Sequence, residues 1–238
     1  STATKVAIYA IVRFLFSVFY SHPTMLEIVL VNVVMPLGIL AMFVAGGIAF
    51  YQRDLKRMLA FSSVSQIGYI LVGLSFMSSK GLTAAIIHLF NHGITKGLLF
   101  MCAGVIFLRY KASFYKEISG LGRIMPWTSA AFLIGGLSLI GIPGTAGFIS
   151  KWLLLEAALE SGYWLVAILI IVSSLFAVIY IWKIIEVLYF SESSESFSEV
   201  NVITLTPIWI LALFCILFGI NTSLTVDVAT IAAEILFN

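Results

Sequence analysis

Hydrophobic residues run along this chain in stretches far longer than a soluble helix or strand requires, and short polar joints separate them. Cut at turn and charge signals, with about 20 residues to a span, the pattern yields seven apolar segments, roughly 3–20, 25–50, 57–77, 81–108, 126–160, 163–189 and 204–220. The joints are Ser21-His22-Pro23, Gln52 to Lys56, Ser78-Ser79-Lys80, Arg109 to Arg123, Ser161-Gly162 and Ser191 to Glu199. This predicts an all-α polytopic membrane protein with about seven transmembrane segments, forming a single membrane domain over 1–238. A final stretch, 222–238, sets Asp227 and Glu234 among apolar residues and reads as a short amphipathic helix on the outer surface.

The fifth segment breaks the rule of length. A continuous helix over 126–160 would be about 50 Å long, against a hydrocarbon core of about 30 Å. Pro143 and the glycines Gly141, Gly144 and Gly147 fall within seven positions of it. Two half-helices joined at Gly141–Gly147, a discontinuous helix of the transporter kind, fit this pattern; strong tilt of an unbroken helix is the alternative. Just past the break stands Lys151, in Ile142-Pro143-Gly144-Thr145-Ala146-Gly147-Phe148-Ile149-Ser150-Lys151-Trp152. A lysine at membrane depth costs about 2.5–3.5 kcal/mol and marks a functional site by default. Irregular backbone is tolerated there only where protein or a watery cavity meets it. Charge and break together point to an ion pathway.

Composition agrees with the span pattern. The 238 residues are 61% hydrophobic and 10% charged, with a mean hydropathy of +1.12, more apolar surface than a soluble domain of this length can hide. The net charge of +2 matters less than its distribution. Arg53, Lys56, Arg57, Arg109, Lys111, Lys116 and Arg123 fall in alternate joints on one side, whereas the other side carries Lys80 with Glu27, Asp227 and Glu234. By the positive-inside rule the first side is cytoplasmic, which puts the C-terminus on the outer side of the inner membrane of a prokaryote. No basic patch of the nucleic-acid kind is present, and Gly141-x-x-Gly144-x-x-Gly147 lacks the glycine spacing and preceding strand of a dinucleotide site. Cys102 and Cys215 are far apart, with no C-x-x-C, so no iron–sulfur or thiol-redox site and no other cofactor is signalled. The chain opens on Ser1, with Lys5 and Arg13 close behind and no cleavable leader pattern, and reads as a fragment that starts inside a helix.

Further charges sit in apolar context. His88, His92 and Lys96 recur at i, i+4 and i+8 in the fourth segment and stack on one helical face over about 12 Å. Imidazole titrates near neutral pH and can take a proton on one nitrogen while releasing one from the other. A lysine's hold on its proton responds strongly to its surroundings, so the row suits proton relay through bridging waters. The competing reading makes each histidine a helix–helix hydrogen-bonding group. A metal site is disfavoured because no acidic or cysteine partner shares the face. Lys5, Tyr9 and Arg13 form a second such row. Lys56 opens the third segment within reach of the surface, where a lysine can snorkel. Lys183 and Glu186 are spaced for a local pair, and Glu156, beyond Lys151, is a candidate partner for it. Ser62, Ser63, Ser65, Gln66 and Tyr69 form a polar cluster suited either to close packing or to lining a hydrated path.

Four stretches resemble the antiporter-like proton-conducting subunits shared by respiratory complex I and the Mrp-type cation/proton antiporters. They are Thr4 to Tyr9, Asp54 to Tyr69, His88 to Phe100, and Gly141 to Trp152, in that order along most of the chain to about residue 160. The resemblance implies a fourteen-helix fold with two inverted five-helix repeats, of which this chain would hold helices eight to fourteen, with 25–190 as the second repeat. It also implies roles. Lys5 matches the lysine that passes protons between half-channels, and His88, His92 and Lys96 match the connecting residues. Lys151, beside Pro143 and Gly144, matches the broken-helix lysine near the outer exit, and Lys56 a lysine linked to the cytoplasmic-side path. Trp152 and Glu156 after Lys151 resemble the antiporter D-type subunit more than the quinone-oxidoreductase types.

The expected function is proton translocation within a multi-subunit membrane complex, with any NADH oxidation carried out by other subunits. The expected partners are other membrane subunits, the lipid bilayer and the first half of the fold, whose glutamate–lysine pair has no counterpart here; nucleic acid is not among them. A non-conducting scaffold subunit, or a truncated paralogue, is the competing expectation.

Overall fold

A computed structural model describes residues 2–18, 23–191 and 198–237 of the chain. The helices are α1 (Thr2–Val18), α2 (23–51), α3 (Leu55–Ser75), α4 (Ser79–Tyr110), the single turn α5 (Leu121–Ile124), α6 (Pro126–Ile140), α7 (Ala146–Glu160), α8 (Trp164–Tyr189), α9 (Val202–Ile220) and α10 (Ser223–Phe237). Five of the described helices are long and apolar enough to cross a membrane: Thr24–Tyr51, Leu55–Ser75, Ser79–Tyr110, Trp164–Tyr189 and Val202–Ile220. The fifth apolar segment is discontinuous: α6 and α7, 15 residues each, are separated by an unwound stretch. The unwound part ends at Thr145, so Gly147 lies inside the first turn of α7 rather than in the break.

Capping and proline chemistry set the element ends. The Asp54 carboxylate accepts from the Arg57 amide at 2.8 Å and starts α3, while the Ser78 hydroxyl accepts from Gly81 N at 3.1 Å and starts α4. Within α2, Pro36 has no N–H to donate, and the backbone widens into a π turn over Leu30–Val34 just before it. A second π turn, Ala41–Ala45, contains Met42, whose carbonyl accepts from the Ser65 hydroxyl at 3.0 Å.

The 32-residue α4 is the axis of the bundle. Around it pack α3, α6, α7, α9 and α10, with α1 against one face. The joints gather at two ends, in the alternation that the charge pattern requires. At the basic end Leu55 N donates to Ser113 O (2.8 Å), Tyr115 N to Arg53 O (3.0 Å), Gly120 N to Val187 O (3.0 Å) and the Arg109 guanidinium to Ser198 Oγ (2.8 Å). At the opposite end Phe76 stacks on Tyr163 with centroids 5.9 Å apart. Helix α10 packs on α4 through the buried Ala229 and Ala233, and exposes Leu224, Val228, Ile231 and Ile235. The core contains unusually polar members: Tyr69, Lys96 and Tyr180 are among the largest fully buried side chains.

Candidate functional site

Half-helix α6 ends in mid-bundle with carbonyls that nothing in its own turn can satisfy, and each unpaired one would cost several kcal/mol there. Gly141, at φ +90°, turns the chain out of the helix, a conformation that a side chain would strain. The amides of Gly141 and Ile142 return to Leu137 O at 3.0 and 3.1 Å. The Lys151 ammonium, from the second turn of α7, donates to Leu139 O at 3.0 Å and Ile140 O at 2.9 Å. A cation at a helix C-terminus also meets the negative end of its dipole. The face of Tyr69 completes the ammonium's surroundings, with Nζ 5.1 Å from the ring centroid. The start of α7 is tied to its neighbours as well. Gly147 N donates to Ser138 Oγ at 3.2 Å, and Asn91 Nδ2 of α4 donates to Ala146 O at 2.7 Å. Gly147 is required here, since a Cβ at that position would overlap the Ser138 carbonyl.

The face of α4 predicted from the i, i+4, i+8 spacing is wholly buried, with the histidines at the break and Lys96 against α3: His88, His92 and Lys96 are 3%, 6% and 0% exposed. The His88 and His92 rings lie nearly parallel, with centroids 6.3 Å apart. Nδ1 of His88 is 2.9 Å from the Ser150 hydroxyl, and the ring lies 5.5 Å from Tyr69. Thr95 Oγ1 and Ser138 Oγ are 2.9 Å apart. Lys96 Nζ donates to Leu59 O at 2.9 Å and to the Ser62 hydroxyl.

A small cavity of about 10 Å³ is lined by Gln66, His88, His92, Thr95, Ser138, Leu139, Gly147, Ser150 and Lys151. That is about the space one water needs, and the walls offer the polar partners that a buried water requires. Nε2 of His88 and Nε2 of His92 are both buried without a protein partner. The arrangement can hold a proton on either imidazole or on Lys151, with a single water between them.

Other residues singled out by spacing are placed differently. Lys5 is half-buried against Gly93, one residue beyond His92; its Cε lies 3.1 Å from where a Cβ would stand. Pro143 and Gly144 form the exposed turn of the break. Glu156 is not the partner of Lys151: it takes Lys80 Nζ at 2.6 Å, as does Glu160. Five residues along a helix rotate Glu156 about 140° from Lys151, onto another face. Lys183 and Glu186 form no local pair. Lys183 Nζ instead donates to Phe50 O (3.2 Å) and Gln52 O (3.4 Å), capping the end of α2. Lys56 lies over the Phe107 ring, 3.0 Å from its centroid.

Sequence reasoning missed several contributors. Asn91 and Thr95 share an i, i+4 relation beside the histidine row, and that signal was available. Glu199 gave none. Its carboxylate accepts from Trp127 N at 2.9 Å, Thr128 N at 3.3 Å and Thr128 Oγ1 at 2.7 Å, capping the start of α6 from the joint before α9. Opposite charges thus bracket α6, Glu199 at its N-terminus and Lys151 at its C-terminus.

The profile of the family described as NADH:quinone oxidoreductase/Mrp antiporter, TM, matches residues 1–177. The chain belongs to this family. Its relatives include NADH-quinone oxidoreductase subunit N of Desulforudis audaxviator, 38% identical over 196 residues, a match covering 78% of this chain and 37% of the relative. Subunit L of the F(420)H(2) dehydrogenase of Methanosarcina mazei is 36% identical over 200 residues, covering 78% of this chain and 30% of that protein. The chain therefore spans well under half the length of these curated relatives. A chain of the Mrp complex from Dietzia sp. DQ12-45-1b superposes with a TM-score of 0.89 at 26% identity, over 99% of this chain and 52% of that one. A chain of respiratory complex I from Thermus thermophilus shares the fold, with a TM-score of 0.76 at 22% identity over 87% of this chain and 45% of that one. In this antiporter-like family the present chain is a multi-pass membrane protein.

Proposed function

We propose that this chain supplies a proton-conducting half of a membrane subunit in a multi-subunit, antiporter-like or quinone-oxidoreductase-like complex. The observation that carries the reading is the buried row of His88, His92 and Lys96 on one face of α4, whose histidines share a water-sized cavity with Lys151. Lys5, packed on Gly93 beside the line, is the connection towards the first half of the fold. Residues 25–190 act as the second five-helix repeat. The partners are that first half and neighbouring membrane subunits, in the inner membrane of a prokaryote with the C-terminus outside. Protons move by switching: a charge arriving at one lysine displaces the proton held by its neighbour through the histidines and water between. Lys151 stabilises the broken helix when charged, so its protonation state and the local backbone are linked.

The test is Lys96→Ala and Lys151→Ala in the assembled complex, with proton transfer measured in sealed vesicles. Each is expected to reduce transfer at least about a hundredfold, the low end of what removal of a positioned acid–base group costs. Unchanged transfer in both would leave the chain as a packing element only.

A further inference from the structure

Among the described residues, two tyrosine hydroxyls outside the relay are buried without a hydrogen-bond partner, those of Tyr180 and Tyr115, whose residues are 1% and 7% exposed. Buried orphan hydroxyls are rare and call for an explanation. Their placement gives one. Tyr180 lies in α8 three residues before Lys183, hence one turn deeper on the same face. Lys183 is half-buried at the basic end, with Nζ on Phe50 O and Gln52 O and 5.4 Å from the Tyr115 ring centroid. Tyr115 is in the joint after α4, where burial and the nearby Asp54 carboxylate push its phenol above the ordinary range and keep it an O–H donor. On the deeper side, Tyr180 packs in the same buried cluster as Leu59, whose carbonyl accepts from the Ser62 hydroxyl at 3.0 Å. Ser62 in turn holds Lys96 Nζ. Lys56, which the resemblance links to the cytoplasmic-side path, lies over the Phe107 ring.

We propose that protons reach Lys96 from the basic side by way of Lys183, Tyr115, Tyr180 and Ser62, with Tyr180 as the obligatory hydroxyl step. The proposal rests on Lys96 being a relay group, as argued above. A hydroxyl suits the step because it takes a proton on its oxygen while passing on its own, so that Tyr180 is unchanged after each transfer. Charged and titratable groups facing the route are Lys183, Asp54, Tyr115, Tyr69, Lys96 and Lys5. The gap between Tyr180 and Ser62 is bridged by water during transfer.

The experiment uses the assembled complex in sealed vesicles, comparing Tyr180→Phe, Ser62→Ala and Lys96→Ala. Tyr180→Phe keeps the ring and its packing and removes only the oxygen. It is expected to slow proton transfer about fivefold at normal assembly, and acidifying the basic-side compartment should recover more of the rate in the variant than in the parent. A packing defect would give no such one-sided recovery. Ser62→Ala is expected to behave alike, which keeps the test open if Tyr180→Phe assembles poorly. Full transfer in Tyr180→Phe and Ser62→Ala with Lys96→Ala impaired overturns this route alone. Full transfer in Lys96→Ala overturns the relay reading on which it rests.

Discussion

The Lys151 ammonium closes the end of a helix to which it does not belong, donating to the Ile140 carbonyl at 2.9 Å across the break between α6 and α7. A charge and an interrupted helix are each costly at membrane depth, and here each offsets the other. The carbonyls gain a cationic donor, and the lysine gains acceptors aligned with a helix dipole. A proton leaving Lys151 weakens both, so on the proposed proton path conduction and local backbone order are coupled at one nitrogen atom.

Removing that nitrogen therefore does two things. Lys151→Met is expected to abolish transfer and to lower stability by ~1–3 kcal/mol, because Leu139 O and Ile140 O lose their donor. Lys151→Arg keeps donors in place but holds its proton permanently. It should stay closer to the parent in thermal unfolding in detergent while transferring protons poorly. Efficient transfer by the arginine variant would refute a switching role.

Glu156 should matter little to that chemistry. Its carboxylate is partly exposed and bonded to Lys80, not Lys151. Glu156→Gln is expected to cost at most ~1 kcal/mol, as for surface pairs, and to leave the transfer rate near that of the parent. A loss as large as that of Lys151→Ala would show that the two residues act together.

At the crossing of α7 over α6, Gly147→Ala should fail. The added methyl group meets the Ser138 carbonyl, which is backbone and cannot swing aside. Overpacking of this kind costs ~1–3 kcal/mol or more, read as a lower melting temperature or loss of assembled complex.

Glu199 caps α6 from a distance, with three donors from Trp127 and Thr128. Glu199→Ala is expected to cost ~0.5–2 kcal/mol, the range for lost caps. Amide hydrogen exchange should speed up at 127–128, with Glu199→Gln intermediate because its amide oxygen still accepts. Unaltered exchange at both amides would refute the cap.

Hydropathy and spacing made much of the architecture legible. The apolar runs located the spans, Pro143 with its neighbouring glycines located the break, and helical periodicity put His88, His92 and Lys96 on one face. These features are local: each lies within a single segment of the chain. The errors have the opposite character. Short spacing alone made Glu156 a candidate partner for Lys151, and Glu186 one for Lys183. The structure pairs Glu156 with Lys80, and Lys183 with the end of α2.

Sequence alone thus determined that this chain is a helical membrane protein with one broken span and a buried basic line, because the bilayer imposes length, polarity and periodicity on every segment. Only the tertiary structure decided which group satisfies which. It set Lys151 on the carbonyls of α6, Ser62 on Lys96 and Glu199 on the start of α6. Those partners come from different elements, dozens of residues apart in two of the three cases, and buried polar groups must find donors or acceptors wherever packing brings them.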